Sequence, residues 1–172
     1  MNSAILLIPL FLIRYGLLGI INKSALSRAA HFPQAQDAEK PMFLLYQLAT
    51  VAIVVYMFFI KVNTQPHVFY IGIGVYIAGV LLFAMATINF AKPNESGINQ
   101  TGLYHFSRNP MYVAYFVYFA GCALLTYSIP LAVMVGVFQM ASHWVILAEE
   151  RWCKQTFGNE YIKYMEKVRR YI

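Results

Sequence analysis

Between two long apolar runs the chain carries LYHFSRNPMY, residues Leu103 to Tyr112. His, Ser, Arg and Asn crowd together, a proline follows them, and a tyrosine stands on each side. These residue types suit an anionic or zwitterionic ligand. Backbone N–H groups at the start of a helix after Pro110, together with the Arg108 guanidinium, match a carboxylate or a phosphate. Tyr104 and Tyr112 can pack against an adenine ring or a cation. The ordinary reading of the same stretch is a solvated connection, with Gly102 as a turn residue, Asn109-Pro110 as a helix start and Arg108 as an anchor at a membrane face.

A second group lies further along. Gln139, Ser142, His143, Glu149 and Glu150 recur at spacings of three, four and seven, on one face of an otherwise apolar helix. Polar groups inside a bilayer are expensive and turn toward a cavity or a partner helix. Carboxylates at a helix C-terminus also oppose the macrodipole. The ordinary alternative is a solvated helix end with Glu150 paired to Lys154 at i,i+4, and a lone His143 is by itself a packed hydrogen-bonding residue. Arg14 is a third case. It sits near the middle of an apolar run, where a charge either snorkels to an interface or pairs inside the bundle.

The elements that must position these residues are membrane spans. The chain has 172 residues, 60% of them hydrophobic and 12% charged, against about 25% charged in a soluble domain. The net charge of +6 is no nucleic-acid signal, because the basic residues flank apolar runs instead of sharing a soluble face. A span needs roughly 17–25 apolar residues to cross a ~30 Å core. Five stretches qualify, near 4–21, 42–60, 68–91, 111–127 and 129–148. The expected fold is all-α: five transmembrane helices in one domain over residues 1–172. Prolines 41, 66, 110 and 130 mark four of the starts, where a missing N–H does no harm. The fourth and fifth spans must form a tight antiparallel hairpin.

Residues 149–172 hold six of the thirteen Lys and Arg residues. Trp152, Phe157, Tyr161, Tyr164, Met165, Val168 and Tyr171 fit an amphipathic helix after a break at Gly158, lying on the membrane surface or under the bundle. With five spans, Lys23, Arg28, Lys40, Lys92, Arg108 and the six basic tail residues share one side, and Lys61 stands on the other. The positive-inside rule then places the N-terminus outside and the tail in the cytoplasm. The polar cluster and the tail can therefore meet. Residues 1–21 lack a basic n-region and a small-residue cleavage site and read as a retained span. Cys122 and Cys153 are too far apart in context to suggest a disulfide, and His31, His67 and His105 show no metal-ligand spacing, so no metal is expected. The GIGVYIAG run from Gly72 to Gly79 lies within a span and reads as close helix packing, not as a nucleotide fingerprint.

The order Thr101-Gly102-x-Tyr104, Arg108-Asn109-Pro110-Met111-Tyr112, Glu149-Glu150 and Phe157-Gly158-x-x-Tyr161-x-x-Tyr164 resembles the integral membrane methyltransferases of the isoprenylcysteine carboxyl methyltransferase type. The related phospholipid N-methyltransferases share parts of it. The resemblance covers about Asn89 to Arg169. It implies S-adenosylmethionine as methyl donor, held between the loop before the fourth span and the acidic end of the fifth. By matching position, Asn89, Ser96, Gly97, Ile98, Asn99, Tyr104, Arg108, Asn109, Pro110, Met111, Tyr112 and Glu149 are the expected cofactor residues. The usual R-H-P-x-Y reads R-N-P-M-Y here, so Asn109 cannot titrate. The prenylcysteine enzymes carry an arginine one turn before the acidic pair, where this chain has Val145. That difference points toward an amine or another lipid nucleophile as acceptor.

The resulting expectation is methyl transfer to a lipophilic, membrane-resident acceptor, a lipid amine or an isoprenylcysteine-like carboxylate. Catalysis would be chiefly positioning and exclusion of water, with His143 and Glu150 as candidate proton acceptors for an amine. The rival readings are an NADPH-dependent membrane reductase of the sterol C14 type and a small non-enzymatic scaffold or carrier.

Overall fold

A computed structural model describes residues 1–29 and 33–171; His31 lies outside them. Among the described residues every named element is helical. Helix α1 runs Ser3–Ile21, α2 Lys23–Ala29, α3 Lys40–Met57, α4 Pro66–Phe90, α5 Pro110–Thr126, α6 Ile129–Phe157 and α7 Asn159–Lys167. Helices α1, α3, α4 and α6 are long and apolar enough to cross a membrane, and α5 is a shorter apolar helix of 17 residues. At 1.5 Å per residue α5 reaches about 26 Å, slightly under the ~30 Å of a hydrocarbon core. Outward-facing Leu44, Leu48, Val51, Ile71, Leu81, Met85, Val133 and Met140 are exposed, an apolar exterior that suits a bilayer. The chain is a multi-pass membrane protein.

The prolines lie in the first turns of α3, α4, α5 and α6, as their missing N–H allows. Two elements differ from the sequence expectation. Helix α6 continues from 148 to Phe157, because polar residues after Ala148 remain good helix formers, and it stops only where Gly158 takes φ +56. Helix α1 is irregular. It opens as a 3-10 turn over Ser3–Leu7 and widens to a π-helical segment over Leu12–Leu17, which contains Arg14. The irregular start leaves the Leu6 carbonyl to accept from the hydroxyls of both Tyr76 and Tyr118.

Helices α4 and α5 are antiparallel and nearly touch through their backbones. A Cβ on Gly79 would lie 2.5 Å from the Tyr118 backbone, and one on Gly121 2.5 Å from that of Tyr76. The run read as close packing does pack closely. Tyr127, in the left-handed region, and Ser128, whose Oγ accepts from the Leu131 N–H at 3.3 Å, turn α5 into α6. Helix α3 packs on α6, and Ile53, Met57, Phe83, Tyr118 and Phe138 fill the shared core.

The two ends of the bundle are distinct. At one, Ser3 bonds to Met57 and Ile60, and Asn63 to Leu125. At the other, Asn22 and Arg28 bond to the carbonyls of Ala91 and Phe90, and Glu39 pairs with Arg151 at 2.7 Å. The second end gathers residues 23–29 and 33–41, the 91–109 loop and the described part of the tail. There Tyr161, Tyr164 and Val168 bury against Ile98, at the spacing of three and four read from the sequence.

Candidate functional site

The loop after α4 is shaped by two asparagines. Asn94 accepts through Oδ1 from the Ile98 N–H and the Ser96 hydroxyl, both at 2.8 Å, which folds residues 94–98 into a tight turn. Gly97 takes φ +89 there, a conformation that side-chain-bearing residues resist. Asn89 accepts from the Leu103 N–H at 3.0 Å and so starts the 3-10 turn Gly102–His105. Gly102, at φ +61, lies so close to the Asn89 amide that a Cβ would collide with it. The turn delivers Tyr104 into the interior, where its carbonyl accepts from the Tyr164 hydroxyl at 2.6 Å. Burial raises the pKa of Tyr104, Tyr161 and Tyr164 above the ordinary phenol value, so all three remain neutral.

The next residues join the start of α5 to both acids. Glu150 is 3% exposed. Its Oε1 takes Arg108 at 3.1 Å and the Asn109 amide at 3.2 Å, and its Oε2 takes Arg170 through two N–H groups at 3.1 and 3.0 Å. Two guanidinium groups thus meet one buried carboxylate, the arrangement a buried charge requires. The same Asn109 nitrogen donates to the Arg170 carbonyl at 3.2 Å. Asn109, expected as a cofactor residue where the motif usually has histidine, is a bridge between the motif, α6 and the tail. Tyr112 donates to Glu149 Oε1 at 2.7 Å. The start of α5 is not an open row of N–H groups, because those of Arg108, Asn109 and Tyr112 bond to Arg169 O, Ser107 Oγ and Asn109 O.

These residues border a partly open cavity of about 470 Å³ between the bundle end and the tail. Of the residues singled out in the sequence, Gly97, Ile98, Asn99, Tyr104, Arg108, Asn109, Met111, Tyr112 and Glu149 line it. Asn89, Ser96 and Pro110 do not: Asn89 caps the turn, Ser96 points outward, and Pro110 is buried at the head of α5. His143 and Glu150 also lie off the cavity wall. His143 meets the Tyr171 hydroxyl through Nδ1, and Glu150 meets Arg170. The polar stripe on α6 therefore has two edges. Glu149 faces the cavity, while His143 and Glu150, seven residues apart, face the segment after α7.

Sequence reasoning passed over Arg28, Tyr46, Tyr115, Trp152 and Cys153 as site residues, and it left Arg14 undecided; all six line the cavity. The aromatic spacing of the tail was a usable signal for Tyr161, Tyr164 and Phe157, which also line it. Tyr46 and Tyr115 carried none, since an aromatic residue in a span is packing by default. The wall is mostly aromatic and apolar, with few polar groups, the usual make-up of a small-molecule site. Two buried polar atoms of its lining residues, Arg108 Nε and Asn99 Oδ1, have no protein partner among the described residues. The lining rings suit a flat base or a cation.

A family model, phospholipid methyltransferase, matches residues 69–160. No curated protein and no solved structure matches the chain. The matched stretch covers more than half of the chain and holds the loop, the motif, both acids and the first two residues of α7. By that match, and with most of the motif lining one cavity, the chain belongs to the phospholipid methyltransferase family.

Proposed function

We propose that this protein transfers a methyl group from S-adenosylmethionine to a lipophilic acceptor that reaches the cavity from the bilayer. The observation that carries the reading is the mostly aromatic and apolar cavity on whose wall Tyr112 hydrogen-bonds to Glu149, joining the two halves of the motif. When bound, S-adenosylmethionine supplies an electrophilic methyl group. The chain's part is to bind, orient and keep water out. Gly97, Ile98 and Asn99 form one wall, with Arg108 beside them. Tyr104, Tyr112 and Trp152 present rings to a cationic centre.

Glu149 is the side chain placed to take a proton from an amine, because its carboxylate lies on the cavity wall. His143 and Glu150 stand behind that wall and act as positioning residues, holding Tyr171 and Arg170. The reading further takes α5 as a fifth span. The site end faces the cytoplasm, since eleven of the thirteen basic residues gather there, and α7 packs beneath the bundle on that side.

Calorimetry on detergent-solubilised protein tests the donor: S-adenosylhomocysteine binds and NADPH does not. Binding of NADPH alone would shift the protein to the reductase reading, and binding of neither would remove both enzymatic readings. A labelled-methyl assay on a total lipid extract, with mass analysis of the product, then identifies the acceptor.

A further inference from the structure

Arg14 is the charged residue that the motif does not absorb. It lies in the π-helical segment of α1, within an apolar helix, where a charge is retained only for a partner or a ligand. Its neighbours in sequence divide sharply. Ile13 is buried in the core, while Leu12 and Tyr15 are more than half exposed on the lipid side. Arg14 thus stands at the edge where the cavity wall meets the bilayer, and it lines that cavity. Tyr46, Tyr115 and Glu149 line the same cavity.

The charges on the wall complete the argument. Arg14, Arg28 and Arg108 line the cavity with Glu149. Arg108 is balanced by Glu150 at 3.1 Å, behind the wall. Arg28 lies over the Phe90 ring, 5.0 Å from its centre, near the loop. One positive group, Arg28, sits by the loop proposed to hold the donor. Arg14, on α1, and Glu149, on α6, are a cation and an anion on separate helices of the same cavity. That pair fits a molecule carrying both an amine and an anionic group.

We propose that Arg14 anchors a negatively charged group, phosphate or carboxylate, of the acceptor, so that its nucleophile is presented beside Glu149. A guanidinium suits either anion through its forked donors. The inference rests on the methyl-transfer reading for the identity of the second ligand, but its test does not require turnover.

The full chain in a neutral maltoside detergent is titrated with hexadecyl phosphate, hexadecanoate and hexadecanol, and apparent affinity is read from thermal unfolding, with and without S-adenosylhomocysteine. The wild type is expected to prefer at least one anionic amphiphile over the alcohol by about tenfold, the scale of one charge-assisted contact. Whether phosphate or carboxylate is preferred identifies the group. Arg14→Gln brings the preferred anion to the alcohol's level and leaves S-adenosylhomocysteine affinity within about twofold of wild type. Arg14→Lys, which keeps the charge but not the fork, retains part of the preference and carries the test if the glutamine variant does not fold. The proposal is overturned if the wild type has no anion preference, if either variant keeps it in full, or if S-adenosylhomocysteine affinity falls in parallel. Failure of the wild type to bind S-adenosylhomocysteine would remove the methyl-transfer reading while leaving the anion preference of Arg14 measurable.

Discussion

Glu150 and Tyr112 do different work, although each joins the motif to α6. Glu150 holds two arginines in a site where Arg108 is 8% exposed at its side chain. Glu150→Ala leaves the buried Arg108 cation without its counter-ion, and a loss of about 3–5 kcal/mol is expected in unfolding measurements. Asn109→Ala removes one donor and leaves the ion pairs, so a smaller loss of about 1 kcal/mol is expected. Tyr112→Phe keeps the ring and removes only the hydroxyl that meets Glu149. It should weaken S-adenosylhomocysteine binding by about tenfold, with little change in unfolding temperature, because the bond lies on the ligand wall. Unchanged affinity in calorimetry would remove Tyr112 from the site. The motif was legible because polar residues between apolar runs stand out. The partners of Glu150 were not, because Arg170 is twenty residues away and pairing across such a distance leaves no local spacing to read.

At the scale of the helix, the glycines divide by what stands opposite them. Gly79 and Gly121 face backbone, whereas a Cβ at Gly136 meets nothing within 4 Å. Gly79→Val and Gly121→Val must push α4 and α5 apart, and both should lower the unfolding temperature markedly, by more than about 2 kcal/mol of stability. Gly136→Ala should be neutral or slightly stabilising, since alanine is the better helix former. Apolar length and first-turn prolines revealed where the spans lie. Two features escaped that signal. Polar residues that remain helical after Ala148 lack an apolar run to extend, and the π-helical segment around Arg14 is a change of hydrogen-bond register, which leaves no mark on composition.

For the molecule as a whole, the site end is held together across long sequence distances by ion pairs, and pH reaches one of them from outside the spans. Glu39, just before α3, bonds to the Arg151 guanidinium through both oxygens at 2.7 Å. These hydrogen bonds lower the Glu39 pKa below its ordinary value. A carboxylate with a depressed folded pKa stabilises the fold above its unfolded pKa of about 4.3, and that contribution disappears as pH falls through the lower folded value. Wild type should therefore unfold at a higher temperature than Glu39→Gln at pH 7, and the two curves should converge as the pH drops below about 4. A constant gap across that range would exclude this pair as the cause. The placement of the two tryptophans in the chain also gives the molecule an optical property. Trp152 stands on the cavity wall, edge-on to Phe157, while Trp144 lies edge-on to His143 away from that wall. One indole is thus an emitter inside the binding chamber and the other an internal reference eight residues earlier. Ligand entry can be followed as a change in emission that survives Trp144→Phe and vanishes in Trp152→Phe, so the protein carries its own fluorescent probe of occupancy.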